Sequence, residues 1–181
     1  MIPLQEPGQG HIHCGLVAGQ PTLFQCSGKY PLKLVAPRTI ASSAAAAVYI
    51  LTYGGGIVHG DRINLSVQVD PGAVLTLLTQ GSTKVFRNRD GEALQPEVPP
   101  ELSYSLNQLT ATVAPGGCLV CLPSPVTCFK ESRYLQNQRI ELQDATSGLV
   151  LLDWMTSGRH SCGESWQFDL YNSTNTIYLG G

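Results

Sequence analysis

The sequence predicts an all-β protein built of layered sheets, and three observations carry that prediction. Residues 63–69 alternate apolar and polar without a break, which places Ile63, Leu65, Val67 and Val69 on one face of a strand. Short apolar runs recur along the chain, separated by turns rich in Pro, Gly and Asp. Charge is scarce: 13% of residues are charged against 43% hydrophobic, with 19 Gly and 12 Pro. Long charged helices are therefore missing. At 181 residues the chain is expected to form one domain, 1–181, with a real core.

Each element follows from local chemistry. Residues 42–47 have helical propensity, but Val48, Tyr49 and Ile50 beside them are β-branched or aromatic, so the region reads as a strand with an undefined lead-in. Residues 62–79 read as a β-hairpin about Asp70-Pro71-Gly72, because Pro presets φ and Gly accepts a positive φ. Residues 88–100 hold charges, Gly91 and three prolines, and are expected to form an exposed loop. Leu109, Ala111 and Val113 resume the alternation before the turn 114–117, and residues 118–122 form a short apolar strand. Residues 134–142 and 149–152 are expected to pair around a turn at 144–148. Residues 175–179 read as a final strand with nothing after it to pair against. No internal repeat is recognised.

Composition excludes several classes of function. The formal net charge is −2, from 13 acidic and 11 basic residues, which gives no electrostatic basis for binding nucleic acid or an anionic membrane. No basic segment followed by an apolar stretch opens the chain, and no run approaches the roughly 18 apolar residues of a membrane span. A soluble, cytoplasmic protein is expected. Its six cysteines (14, 26, 118, 121, 128 and 162) then read as reduced thiols, mostly small core residues.

The motifs that could carry chemistry each have a structural reading. Residues 53–61 (YGGGIVHGD) lack the Gly-Lys-Ser/Thr ending of a phosphate loop, and a strand follows them where a helix would be needed. A tight turn with Asp61 bonded to backbone amides accounts for the glycines and leaves His59 unexplained. His11 and His13 lie on one side of an extended strand and form a candidate metal pair, which two residues alone do not complete. Cys118 and Cys121 have the spacing of a zinc knuckle or redox pair, but no second Cys pair exists. On a strand, residues three apart point to opposite faces. Asp153 and Glu164 form a candidate acid/base pair, although the surrounding sequence suggests a turn in which Arg159 ties a carboxylate. No Gly-x-Ser-x-Gly elbow or triad signature is present.

Six ordered segments together resemble one family, the urease accessory protein UreD (UreH). They are residues 31–33 (PLK), 53–61 (YGGGIVHGD), 78–87 (LTQGSTKVFR), 122–125 (LPSP), 132–136 (SRYLQ) and 153–168 (DWMTSGRHSCGESWQF). The resemblance implies a box-like stack of sheets with one or two short helices. It implies a non-catalytic chaperone that binds apo-urease with the helical UreF and the GTPase UreG and assists nickel insertion. A water-filled passage for nickel is part of that expectation, with nickel in transit and no tightly bound cofactor. Weak oxygen donors suit an ion that must move on. Asp61, Gln80, Thr83, Asp153 and Glu164 are the candidates to line the path or meet a partner, with Lys84, Arg133 and Arg159 as partners to carboxylates. The family lends no role to His11, His13 or the cysteines.

The chain departs from the family pattern in places. Leu78-Thr79-Gln80 stands where Thr-Thr-Gln is usual, and the loop 88–100 is longer than typical. Family members continue beyond the position of Gly181, so a chain shortened at its C-terminal end is expected. Two rival readings stand beside this one: a metal-binding or redox β-module using Cys118, Cys121, His11 and His13, and a hydrolase using Asp153 and Glu164. A plain β-sheet interaction module is the third.

Overall fold

The computed structural model describes residues 6–37, 44–87 and 103–180; the loop expected at 88–100 lies outside them. Among the described residues, strand propensity and alternation resolve into fourteen strands. They are β1 (Gln9–Val17), β2 (Gln20–Gly28), β3 (Leu32–Val35), β4 (Ala46–Thr52), β5 (Arg62–Val69), β6 (Val74–Thr79) and β7 (Thr83–Val85). There follow β8 (Ser105–Val113), β9 (Cys118–Leu122), β10 (Val126–Cys128), β11 (Arg133–Leu142), β12 (Gly148–Leu151), β13 (Met155–Thr156) and β14 (Leu170–Leu179). Helix is confined, among the described residues, to single 3₁₀ turns at Tyr53–Gly55 and His160–Cys162. The all-β, layered expectation holds.

The strands form three sheets, ordered β14-β11-β8-β5-β1-β2, β12-β9-β6-β4-β3 and β13-β10-β7. The chain visits them in rotation. β5, β6 and β7 lie one in each sheet, as do β8, β9 and β10, then β11, β12 and β13, and β14 returns to the first sheet. Pairing between successive rungs is parallel throughout. Among the described residues, antiparallel pairing is confined to β1 with β2 and β3 with β4, at one end of the stack.

This corrects two expectations. Residues 62–79 are not a hairpin, because β5 belongs to the first sheet and β6 to the second; 134–142 and 149–152 are split in the same way. Pro71 and Gly72 (φ 72°) occupy the central positions of a turn closed from the Ala73 N–H to the Asp70 carbonyl at 3.1 Å. Pro followed by a positive-φ Gly gives a type II turn, whose twist does not suit a two-residue hairpin. The chain turns a corner instead.

A closed turn recurs at the matching place in the next two rungs, with a positive φ again at Gly116 but not at Thr146. Gly117 N–H bonds the Ala114 carbonyl at 2.9 Å and Ser147 N–H bonds the Asp144 carbonyl at 3.2 Å. Corners also bond to one another, Cys118 N–H to the Ala73 carbonyl and Gly148 N–H to the Gly117 carbonyl, both at 2.8 Å. The chain is thus a structural repeat that the sequence reading missed, visible only as two Pro-Gly pairs between apolar runs. The final strand also has a partner: β14 pairs with β11 along its whole length.

Parallel register stacks like positions into rows along the axis. Ile12, Val67, Ala111 and Ile140 form one inward row of the first sheet, which Ile177 continues onto the half-exposed edge strand. Ala46, Leu75, Leu119 and Leu149 face it from the second. These rows supply much of the buried core. Leu119 is fully buried at the centre of its row, so Leu119→Ala is expected to lower the unfolding free energy by about 2–5 kcal/mol. A shifted urea midpoint at unchanged slope measures it.

Candidate functional site

Two inward rows change character along the axis. Ile63 is followed by Asn107, Gln136 and Ser173, and Leu65 by Leu109, Gln138 and Asn175. Amide and hydroxyl side chains do not fill an apolar layer, and a cavity of about 150 Å³ opens between these rows and the edge where the second sheet meets the third. Its wall is apolar around Ile63, Leu77 and Cys121 and polar around Thr79, Gln80, Ser124 and Asp153.

Asp153 is the charge in that wall. Oδ1 accepts from Gln136 Nε2 at 3.1 Å, and Oδ2 accepts from Ser173 Oγ at 2.5 Å and Asn175 Nδ2 at 2.7 Å. Behind Gln136, its Oε1 accepts from the Tyr134 hydroxyl at 3.0 Å, which itself accepts from Asn107 Nδ2 at 3.2 Å. Tyr134 is completely buried, and burial pushes its phenol well above the ordinary value, so it stays a donor. Gln138 Nε2 donates to Asn175 Oδ1 at 2.8 Å. The network links three rungs and fixes the carboxylate. On the opposite edge Thr79 Oγ1 donates to the Gly81 carbonyl at 3.1 Å and accepts from Ser124 N–H at 2.8 Å.

Of the sequence-predicted residues, Gln80, Thr83 and Asp153 line the cavity. The other five do not. Asp61 serves the turn: its Oδ2 accepts from Val58 N–H at 2.8 Å. Glu164 is buried and paired with Arg159, and its Oε2 accepts from Lys130 N–H at 3.2 Å. The Arg159 hydrogen bonds hold the Glu164 carboxyl below its usual range, and the guanidinium lies 3.9 Å from the Phe129 ring centroid. This is the tied carboxylate the sequence suggested, a brace for the loop between β13 and β14. Lys84 is exposed on β7, and Arg133 opens β11. Asp153 and Glu164 share no hydrogen-bond partner, and Glu164 is tied to Arg159 and to the Lys130 amide.

The Cys/His rival fares similarly. Cys121 points inward and burial raises its thiol to about 12, while Cys118 faces the other side of β9. His11 and His13 share the outward face of β1, and His13 Nε2 lies 2.8 Å from Asp70 Oδ2. No group of three or more His, Cys, Asp or Glu side chains placed to hold a metal occurs among the described residues. The sequence reading missed Asn107, Gln136, Gln138, Ser173 and Asn175. The signal was present: stepping back by twos from Leu142 and Ile140 places Gln138 and Gln136 on the core face.

The family model for the UreD urease accessory protein matches residues 6–181. The chain is 41% identical over 172 residues to "Urease accessory protein D" of Oryza sativa subsp. indica, covering 94% of this chain and 52% of that protein. It is 40% identical over 172 residues to the protein of the same name in Arabidopsis thaliana (94% and 54%). To "Urease accessory protein UreD" of Sorangium cellulosum it is 41% identical over 176 residues (97% and 51%). The chain spans about half the length of these curated relatives. No helix among the described residues is long and apolar enough to cross a membrane.

His59, left without a role by the sequence, is buried with its Nε2 2.5 Å from Ser103 Oγ. Burial first, and the Arg133 charge second, hold its imidazole below the ordinary 6.5. The unfolded chain then takes up a proton at a higher pH than the folded one. This contribution to stability is therefore complete above about pH 6.5 and is lost as pH falls, at up to about 1.4 kcal/mol per unit. Urea unfolding at about pH 7.5 and 5.5 is expected to show a smaller acid loss for His59→Asn than for the wild type.

Proposed function

The chain belongs to the UreD urease accessory protein family, and on that premise we propose that it acts as a non-catalytic chaperone in urease maturation. In this reading it binds apo-urease together with a UreF homologue and a UreG GTPase homologue, in the cytoplasm, and assists nickel insertion. The family match over residues 6–181 supports the role. The cavity beside Asp153 supports the mechanism.

Nickel is the cargo. Its path runs past the oxygens of Thr79, Gln80, Thr83 and Asp153, all in the cavity wall. One carboxylate and several neutral oxygens draw a divalent cation in, whereas a complete imidazole and thiolate set would hold it. The Gln136, Ser173 and Asn175 donors share the Asp153 charge among them, which weakens its grip on any single ion. The apolar wall gives the ion no second anchor. Binding that is weak at every point is what transfer requires.

The test is complementation. Co-expressed with nickel in a strain whose own UreD is deleted, the protein is expected to restore urease activity and to be pulled down with the UreF homologue; absence of both overturns the reading. Asp153→Asn keeps the shape and removes the charge. At an effective dielectric constant near 20, a unit charge pair at 4 Å is worth about 4 kcal/mol. The variant is therefore expected to reduce urease activation by roughly tenfold or more while leaving UreF binding intact.

A further inference from the structure

The two large sheets present opposite kinds of outer surface. On the first sheet the outward residues are mostly polar, Asn64, Ser66 and Gln68 on β5 among them, with Phe24, Leu106, Leu135 and Tyr178 set between polar neighbours. On the second, the outward positions of β3, β4, β6 and β9 bring Val35, Tyr49, Leu78 and Leu122 into one row across four strands. Val150 extends this apolar surface beside Val120. Leu122 is 42% exposed, Val150 49% and Trp154 48%. A contiguous apolar face of this kind marks an interaction surface.

Charge indicates what covers it. Residues 29–58 and 71–89, which supply β3, β4, β6 and β7, contain lysines and arginines and no Asp or Glu. At one end of the row Lys33 holds its ammonium 5.7 Å from the exposed Tyr53 ring. Lys84 lies beside Gly56, where an added Cβ would come within 3.0 Å of the Lys84 Cβ. A second copy of this chain would bring lysine towards lysine with no carboxylate from these strands to meet either. A partner with an apolar centre and acidic flank matches both features. At the other end of the surface, Trp154 also lines the cavity, so a protein seated here sits beside the cavity.

We infer that the outer face of the second sheet, from Val35 to Trp154, docks the apolar face of an accessory protein whose carboxylates meet Lys33 beside that face and Lys84 on the adjoining third sheet. This rests on the reading above, with the UreF homologue as the partner.

The experiment is titration calorimetry of the purified chain with the purified UreF homologue. Leu122→Lys and Val150→Lys are expected to weaken binding by about 100-fold. The exposed pair Lys33→Glu/Lys84→Glu, which leaves the apolar row intact, is expected to weaken it by about tenfold and to flatten its salt dependence. Ser66→Lys on the first sheet is expected to leave affinity unchanged, with equal thermal midpoints for all variants. Wild-type affinity in both the lysine and the glutamate variants overturns this assignment alone. Failure of the wild type to bind overturns it together with the proposed function. A dimer, or adsorption to vesicles of phosphatidylserine, that Leu122→Lys abolishes would assign the face to a different occupant and overturn it as well.

Discussion

Parallel, in-register stacking of rungs is the constraint from which the rest of this structure follows. Once β5, β8, β11 and β14 align residue to residue, each side chain's neighbours along the axis are fixed. A position can then be apolar only if its row is apolar, or polar only if its row satisfies polar groups, because an unpaired amide inside a sheet sandwich costs about 1–3 kcal/mol. The row from Ile63 to Ser173 obeys that rule by changing from hydrocarbon to amide between two rungs. The cavity is the place where the change occurs.

The strands were legible because alternation needs only local sequence. Ile63 to Val69 came out as read, and so did the strands after the Pro-Gly turns. The connections were not legible. Asp70-Pro71-Gly72 suits a hairpin and a corner equally well by composition, and only the turn type separates them. The repeat was hidden for a related reason. Its rungs share backbone geometry but not side chains, and the third corner carries Asp144, Ala145 and Thr146 where the first two carry Pro-Gly.

The site was legible in part. Gln80, Thr83 and Asp153 sit in the cavity wall, whereas Asp61 and Glu164 are used up by a backbone amide turn and by Arg159. Short-range clues separate these groups. Asp61 follows Gly60 in a tight turn, and Arg159 lies five residues before Glu164 with a glycine between them. Asp153 has no such local partner; its donors come from residues 17 to 22 positions away. A carboxylate satisfied by distant amides and a distant hydroxyl shows itself once rungs are stacked and not before.

The recurring corner has a bearing on how this chain tolerates change in length. Because each rung touches only the ones above and below it, stability accrues rung by rung, and nothing in the stacking rule sets a total. Whole turns of the coil can be gained or lost with every row kept in phase, but a single residue inserted within β8 or β11 would rotate each later side chain in that strand to the wrong face. Heredity in such a fold is quantised: divergence is cheap in units of one rung or in the spans between them, and dear in anything smaller.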